Sequence, residues 1–304
     1  MKKVPLVYLT LSLSAIFWGA NFNAGKIAVE VMSPTQVAAW RFIIAGGVIL
    51  VLYWMKERPV WSSIKPYALI YLLMGIVGIF FMNILLFKGL AATSPINTSL
   101  ITATNPLLTL CLSFFLLKEK ISLRQLGGIG ISFLGVLLVL TNGSMTKLEL
   151  ISEGDLYVLL ATTLWSLYGI LGKKYVDKGS PLATTAITMV VGAVLYLPYA
   201  SVATGEAASA KIWEAWLAVI FMALFCSVLA YLWWNQGISR IGANQTSLFF
   251  NIVPISTMTI SALSGESIGA AQMLGALATI CGIIWSTRTA KWSRSECFPQ
   301  NNHV

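Results

Sequence analysis

The sequence predicts an all-α integral membrane protein of ten transmembrane helices, arranged as two inverted five-helix repeats. Three observations carry this. The first is internal repetition: Trp18, Gly25, Lys26, Ser33 and Pro34 recur 147 residues on as Trp165, Gly172, Lys173, Ser180 and Pro181. Gly89, Thr98, Ser99, Leu100, Pro106 and Thr109 recur at 148 as Gly237, Thr246, Ser247, Leu248, Pro254 and Thr257. Glu119, Ile121, Gln125, Gly128 and Gly135 recur at 147 as Glu266, Ile268, Gln272, Gly275 and Gly282. The second is composition, with 57% hydrophobic and 10% charged residues and a mean hydropathy of +0.80, where a soluble domain carries about 25% charge. The third is the placement of basic residues. Fifteen of the 20 Lys and Arg fall in segments that share one side of a ten-pass chain with the N-terminus, which makes that side cytoplasmic.

A bilayer-spanning helix needs about 20 apolar residues, because lipid cannot satisfy an open backbone. Ten runs qualify: Leu6–Gly25, Thr35–Trp54, Pro66–Phe87, Ile96–Leu117, Leu123–Thr141, Gly154–Gly172, Leu182–Ala203, Ile212–Gln236, Ala243–Leu263 and Ile268–Thr287. None alternates with period two, so an outer-membrane barrel is excluded. Lys2 and Lys3 precede the first run as in a signal peptide, but no small-residue cleavage site follows, and the run reads as a retained helix. Five helices per half is odd, so the second half enters from the opposite side and the repeats are inverted. The organisation is a first repeat at 1–142, a loop at 143–153, a second repeat at 154–288 and a cytoplasmic polar tail at 289–304.

In its order of motifs the chain resembles EamA-type members of the drug/metabolite transporter superfamily. The matching residues are Trp18-Gly19-Ala20-Asn21-Phe22, Pro34, Arg41-Phe42, Asn105-Pro106, Lys118-Glu119, Gln125 and Gly128, with the echo Pro254, Gly265-Glu266, Gln272 and Gly275. The resemblance covers about residues 5 to 288. It implies ten helices, cytoplasmic termini, export or exchange of small metabolites such as amino acids, and a cavity lined by helices one, three and four of each half.

Trp18 and Asn21 share one face of the first helix, and Trp165 and Tyr168 share the counterpart face. A large ring with one donor beside an amide suits a neutral or zwitterionic metabolite. Interhelical bonding by Asn and interfacial Trp is the alternative, and both stay open. Asn97 and Thr98 precede Pro106, as Asn244 and Gln245 precede Pro254. Each proline frees a carbonyl one turn earlier, an opening tolerated beside a cavity. These four polar residues are therefore candidate substrate contacts, and Pro106 and Pro254 candidate hinges. Arg41 stands seven residues after Pro34, roughly 10 Å into its helix. A charge at such depth costs at least about 2.5–3.5 kcal/mol unless it pairs or faces water. Its repeat mate is Thr188, so a contact to helix-end carbonyls or a snorkel to the outer interface outweighs attraction of an anion.

The only histidine, His303, lies in the tail, the four cysteines show no metal spacing, and no carboxylate stands mid-span. The chain is therefore read as no enzyme, with no cofactor and no metal site. The missing carboxyl relay leaves facilitated diffusion or exchange in competition with proton coupling. The net charge of +9 is a topology signal rather than a nucleic-acid patch. The partners expected are a small-molecule substrate and the lipid bilayer, with the chain a monomer or homodimer in the inner membrane of a bacterium. A receptor or assembly partner with the same fold is the alternative to a carrier.

Overall fold

Serine followed by proline opens three helices of this chain. Ser33, Ser94 and Ser180 each accept a hydrogen bond from the backbone N–H three residues on. Pro34, Pro95 and Pro181 take the first turn, where a missing N–H costs nothing. The computed structural model describes residues 4–58, 61–118, 122–141, 152–176, 179–200 and 209–287, and no β-strand occurs among them. The helices are α1 (Val4–Val29), α2 (Pro34–Glu57), α3 (Ser62–Ala92), α4 (Pro95–Leu117), α5 (Leu123–Leu140), α6 (Glu153–Tyr175), α7 (Pro181–Tyr199), α8 (Lys211–Ile241), α9 (Ala243–Leu263) and α10 (Ala270–Thr287).

Eight of these are long and apolar enough to cross a membrane, against the ten that the sequence predicts. The other two, α5 and α10, carry Arg124-Gln125 and Gln272 in their first turn and repeated glycine beyond. Their apolar runs shrink to Leu126–Gly135 and Ala270–Gly282. The polar tail at 289–304 and most of the loop at 143–153 lie outside the described residues. Ser152, at the loop's end, forms a capping box with Asp155, whose carboxylate also accepts from the Thr93 hydroxyl. That bond ties the start of α6 to the turn between α3 and α4.

Side-chain contacts fix the relative direction of the halves. Gly46 of α2 approaches Ala193 of α7, while Glu57 at the end of α2 accepts from Ser180 at the start of α7. These repeat mates therefore run antiparallel. The mates α5 and α10 do the same, with Gly135 against Gly275 and Thr279, and Arg124 over the Trp285 ring. Every such contact joins one half to the other. The first helix of each half is also exchanged: α1 packs on α8 and α9, and α6 on α3 and α4. Thr257 and Ser261 of α9 donate to α1 at Gly19 and Asn23, while Asn105 of α4 donates to Ser166 of α6. Side chains that point outward are largely apolar, as Leu50, Val51, Trp54 and Met55 on α2 illustrate. This is the surface of a multi-pass membrane protein.

The fourth helix of each half is broken. α4 ends its first segment at Thr102 and restarts at Asn105, with Pro106 in the new first turn. α9 tightens to a 3₁₀ turn over Leu248–Asn251 before resuming at Ile252, just ahead of Pro254. Proline offers no N–H to the carbonyl four residues before it, so Thr102 and Phe250 lose that partner. Lysines finish other helices. Lys26 donates to the carbonyls of Leu90, Ala91 and Thr93 at the end of α3.

Glycine decides the approach of α5 to α10. A Cβ at Gly135 would stand 2.7 Å from the backbone nitrogen of Thr279 and 2.8 Å from the Gly275 carbonyl. Gly127 faces open space by comparison. Gly135→Val is expected to lower stability by about 1–3 kcal/mol through overpacking, and Gly127→Val by much less. Thermal unfolding of the two variants in detergent checks the contrast.

Candidate functional site

Two helical stretches wind more loosely than an α-helix. α3 is π-helical over Gly75–Phe81 and α8 over Met222–Leu229, and these segments occupy matching places in the repeats. Such segments disturb the ladder and make carbonyls available to side chains. In α8 the Cys226 carbonyl accepts from the Trp18 indole N–H at 2.9 Å and from Arg41 Nη2 at 3.4 Å. In α3 the matching Ile79 carbonyl accepts from Asn83 Nδ2 at 2.9 Å and from the Tyr196 hydroxyl at 3.3 Å. Each loosened segment is thus held by the second helix of the opposite half.

Arg41 is 1% exposed. Its Nε donates to Ser227 Oγ at 2.7 Å and its Nη1 to Asn83 Oδ1 at 3.4 Å. Its guanidinium carbon lies 4.9 Å from the Phe42 ring centroid and 5.7 Å from that of Phe87. The charge is therefore buried, and among the described residues it meets no carboxylate. It sits in the wall of a partly open cavity at the meeting of the two halves, with about 450 Å³ of empty space counted to its open side. Polar contributions come from Asn21, Arg41, Asn83, Thr102, Thr162 and Tyr231. Apolar ones come from Trp18, Phe22, Met82, Leu86, Ala161, Trp165 and Phe250.

One end of the cavity is closed by rings. Trp18 stacks on Phe250 with centroids 5.2 Å apart and meets Trp165 edge-on at 5.5 Å. Tyr231 meets Trp165 edge-on at 4.9 Å. Beyond this layer lies a smaller space of about 190 Å³, bounded by Asn105, Thr109, Ser166 and Trp234 among others, and Trp165 borders both spaces. Two atoms in the larger wall have no hydrogen-bond partner: Asn21 Oδ1 and Trp165 Nε1. Their residues are 2% and 5% exposed. One acceptor and one donor thus stand unpaired in a mostly apolar space.

Residues 5–141 and 152–288 each match the EamA-like transporter family. The chain belongs to that family. It is 43% identical over 296 residues to the uncharacterized transporter YyaM of Bacillus subtilis (strain 168), covering 95% of this chain and 97% of that protein. An uncharacterized transporter of Archaeoglobus fulgidus is 27% identical over 267 residues, covering 88% of this chain and 90% of its own. A solved crystal structure shares the fold with a TM-score of 0.71 at 18% identity, covering 95% of this chain and 99% of that one.

In this EamA-like chain the candidates chosen from sequence divide into two groups. Trp18, Asn21, Trp165 and Arg41 come together on the cavity wall. Tyr168 stands behind it, stacked on Trp165 at 5.0 Å, with its hydroxyl engaged by Asn235 and Thr188. Thr98 bonds back to the Ser94 carbonyl, and Asn97 accepts from Gln272 of α10. Asn244 accepts from Ser113 of α4. Gln245 does not line the cavity either. These four sit in the first turns of α4 and α9, where polar groups serve the helix ends and their neighbours rather than the interior. Pro106 and Pro254 lie outside the wall, yet the carbonyls that they release belong to Thr102 and Phe250, which line it.

Asn83, Thr162 and Tyr231 were not singled out from the sequence. Asn83 is an amide inside the apolar stretch Phe80–Phe87, and its mate is Tyr231, so no echo marks it. The available signal was the amide itself, since a buried amide in a membrane helix needs a partner. The two cavity tryptophans should behave differently on losing their N–H. Trp18→Phe removes a made hydrogen bond and is expected to cost about 0.5–1.5 kcal/mol more than Trp165→Phe, which removes an unpaired donor. Comparing their unfolding midpoints in detergent checks this.

Proposed function

We propose that this EamA-family protein is a secondary carrier of a small polar metabolite, an amino acid or related compound, working by alternating access. The carrying observation is the cavity itself. It lies where the inverted halves interlock, it is walled by rings, and it holds an unpaired acceptor at Asn21 and an unpaired donor at Trp165. A metabolite with both kinds of group would satisfy them at once. The smaller space across the aromatic layer is lined by α4, α6, α8 and α9, four of the helices that also line the larger one. In this scheme Trp18, Asn21 and Trp165 contact the substrate. Pro106 and Pro254 let the broken helices α4 and α9 flex where Thr102 and Phe250 meet the cavity.

The proposed setting is the cytoplasmic membrane, with both termini in the cytoplasm and α5 and α10 crossing as an antiparallel pair to complete ten spans. Export is the direction that the family resemblance implies. The cavity wall holds no Asp or Glu, which favours exchange or facilitated passage over a carboxyl proton relay.

Counterflow in proteoliposomes tests this reading. A mixed metabolite pool is loaded inside and labelled amino acids are added outside. Transient labelled uptake is expected, reduced severalfold or more in Asn21→Ala while that variant stays monodisperse. No counterflow across a pool that includes nucleosides and organic cations would favour a receptor or assembly role. Pro106→Ala and Pro254→Ala are expected to slow exchange while leaving binding affinity near that of the wild type. Unchanged rates with weakened binding would remove the hinge role.

A further inference from the structure

A buried guanidinium without a counter-ion is the largest electrostatic imbalance among the described residues. Arg41 has five N–H donors. Three are used on Ser227 Oγ, Asn83 Oδ1 and the Cys226 carbonyl, all neutral acceptors and two of them at 3.4 Å. Two donors are left over, and the residue lines the cavity at 1% exposure. No Asp or Glu shares that wall. The neutral contacts hold the planar group in place without cancelling its charge, so its field falls on whatever fills the cavity.

The repeat mate sharpens the argument. Thr188 takes the matching place in α7, bonds to the Thr184 carbonyl and faces the Tyr168 hydroxyl, which Asn235 also engages. That half satisfies itself with neutral groups. A purely architectural demand of the fold would not call for a cation on one side alone. The rest of the cavity is apolar and aromatic, with Trp165 offering one further unpaired donor and Asn21 an unpaired acceptor.

We infer that Arg41 is the anchor for a carboxylate on the transported molecule, which makes the substrate class an apolar-bodied carboxylate such as a hydrophobic α-amino acid. A guanidinium binds carboxylates by charge-assisted hydrogen bonds, and the two unused N–H groups are donors for them. The rings of Trp18, Trp165 and Phe250 take up the body. An α-ammonium, where present, meets the Asn21 acceptor and the electron-rich ring faces. This assignment rests on the carrier reading for its biological meaning but makes its own claim about binding.

The test measures ligand-induced thermal stabilisation of the purified full-length protein in detergent. The probes are matched pairs: phenylalanine, leucine, tryptophan and 3-phenylpropanoate, each against its carboxamide. In the wild type at least one acid is expected to bind about tenfold or more tightly than its amide, the scale of one charge-assisted hydrogen bond. Arg41→Gln should collapse that ratio toward one, and Arg41→Lys should keep a preference for the acid at weaker affinity. Amides binding as well as acids, no acid binding at all, or an unchanged ratio in Arg41→Gln would each overturn the assignment. Should Arg41→Gln fail to fold, the wild-type ratio and Arg41→Lys still decide. Counterflow of the same pairs separates the two claims. Movement of amines or amides but not acids would leave the carrier standing without this anchor, whereas tight acid binding with no movement would leave the anchor without the carrier.

Discussion

The Cys226 carbonyl holds the centre of this protein together. It belongs to α8 but receives Trp18 of α1 and Arg41 of α2, so three helices from both halves meet on one oxygen. A helix carbonyl has a second lone pair for such bonds, as the Gly19 carbonyl of α1 shows by accepting from Asn23 and Thr257. Met222–Leu229 is wound as a π-helix, and Ser227 within that segment bonds five residues back to the Met222 carbonyl while accepting from Arg41. A guanidinium at this depth must find acceptors, because lipid offers none. The matching segment of α3 is held by the neutral groups of Asn83 and Tyr196, whereas in α8 the loosened helix and the buried charge are joined. Their matched failure would release Trp18, and with it the ring layer that separates the two spaces.

How much of this could be read from the chain follows from where the signals lie. Topology was legible because lipid imposes a blunt rule on every residue of a span, and because the repeat writes each boundary twice, as at Ser33-Pro34 and Ser180-Pro181. Eight spans meet the length and hydropathy of a crossing. The exceptions, α5 and α10, trade apolar bulk for glycine at a close mutual contact, so hydropathy understates helices that packing defines. At the site, Trp18, Asn21 and Trp165 were visible because rings and amides on one mid-helix face stand out. Arg41 was visible as a charge, but its surroundings were not. They depend on Ser227, Asn83 and a carbonyl on α8, all far away in sequence, and on a π segment that leaves no compositional mark. The polar residues before Pro106 and Pro254 drew attention by composition alone, whereas Thr98 and Asn97 are occupied with the start of α4 and with Gln272.

Interlocking also explains why duplication need not preserve chemistry. Since α1 packs into the second half and α6 into the first, each half completes the other. A change in one copy is then compensated across the interface rather than within its own repeat. Arg41 against Thr188 and Asn83 against Tyr231 are such divergences. The backbone symmetry that permits two exchangeable arrangements survives in the paired π segments and the paired helix breaks. Side-chain symmetry is kept at Trp18 and Trp165 but given up at those two divergent pairs.

That loss makes a single binding site possible on a twofold frame. Were both halves chemically alike, the central space would present the same groups at both ends, and a small asymmetric molecule would bind equally well in two opposed orientations. Here both halves give polar and apolar groups, but different ones. The first half brings Asn21, Asn83, Thr102 and the Arg41 charge beside Trp18 and Phe22, and the second brings Thr162 and Tyr231 beside Trp165 and Phe250. A molecule with one polar end and one apolar end then has one orientation of lowest energy. In the proposed carrier, alternation and orientation are separable demands, the first resting on the backbone repeat and the second on its side-chain divergence.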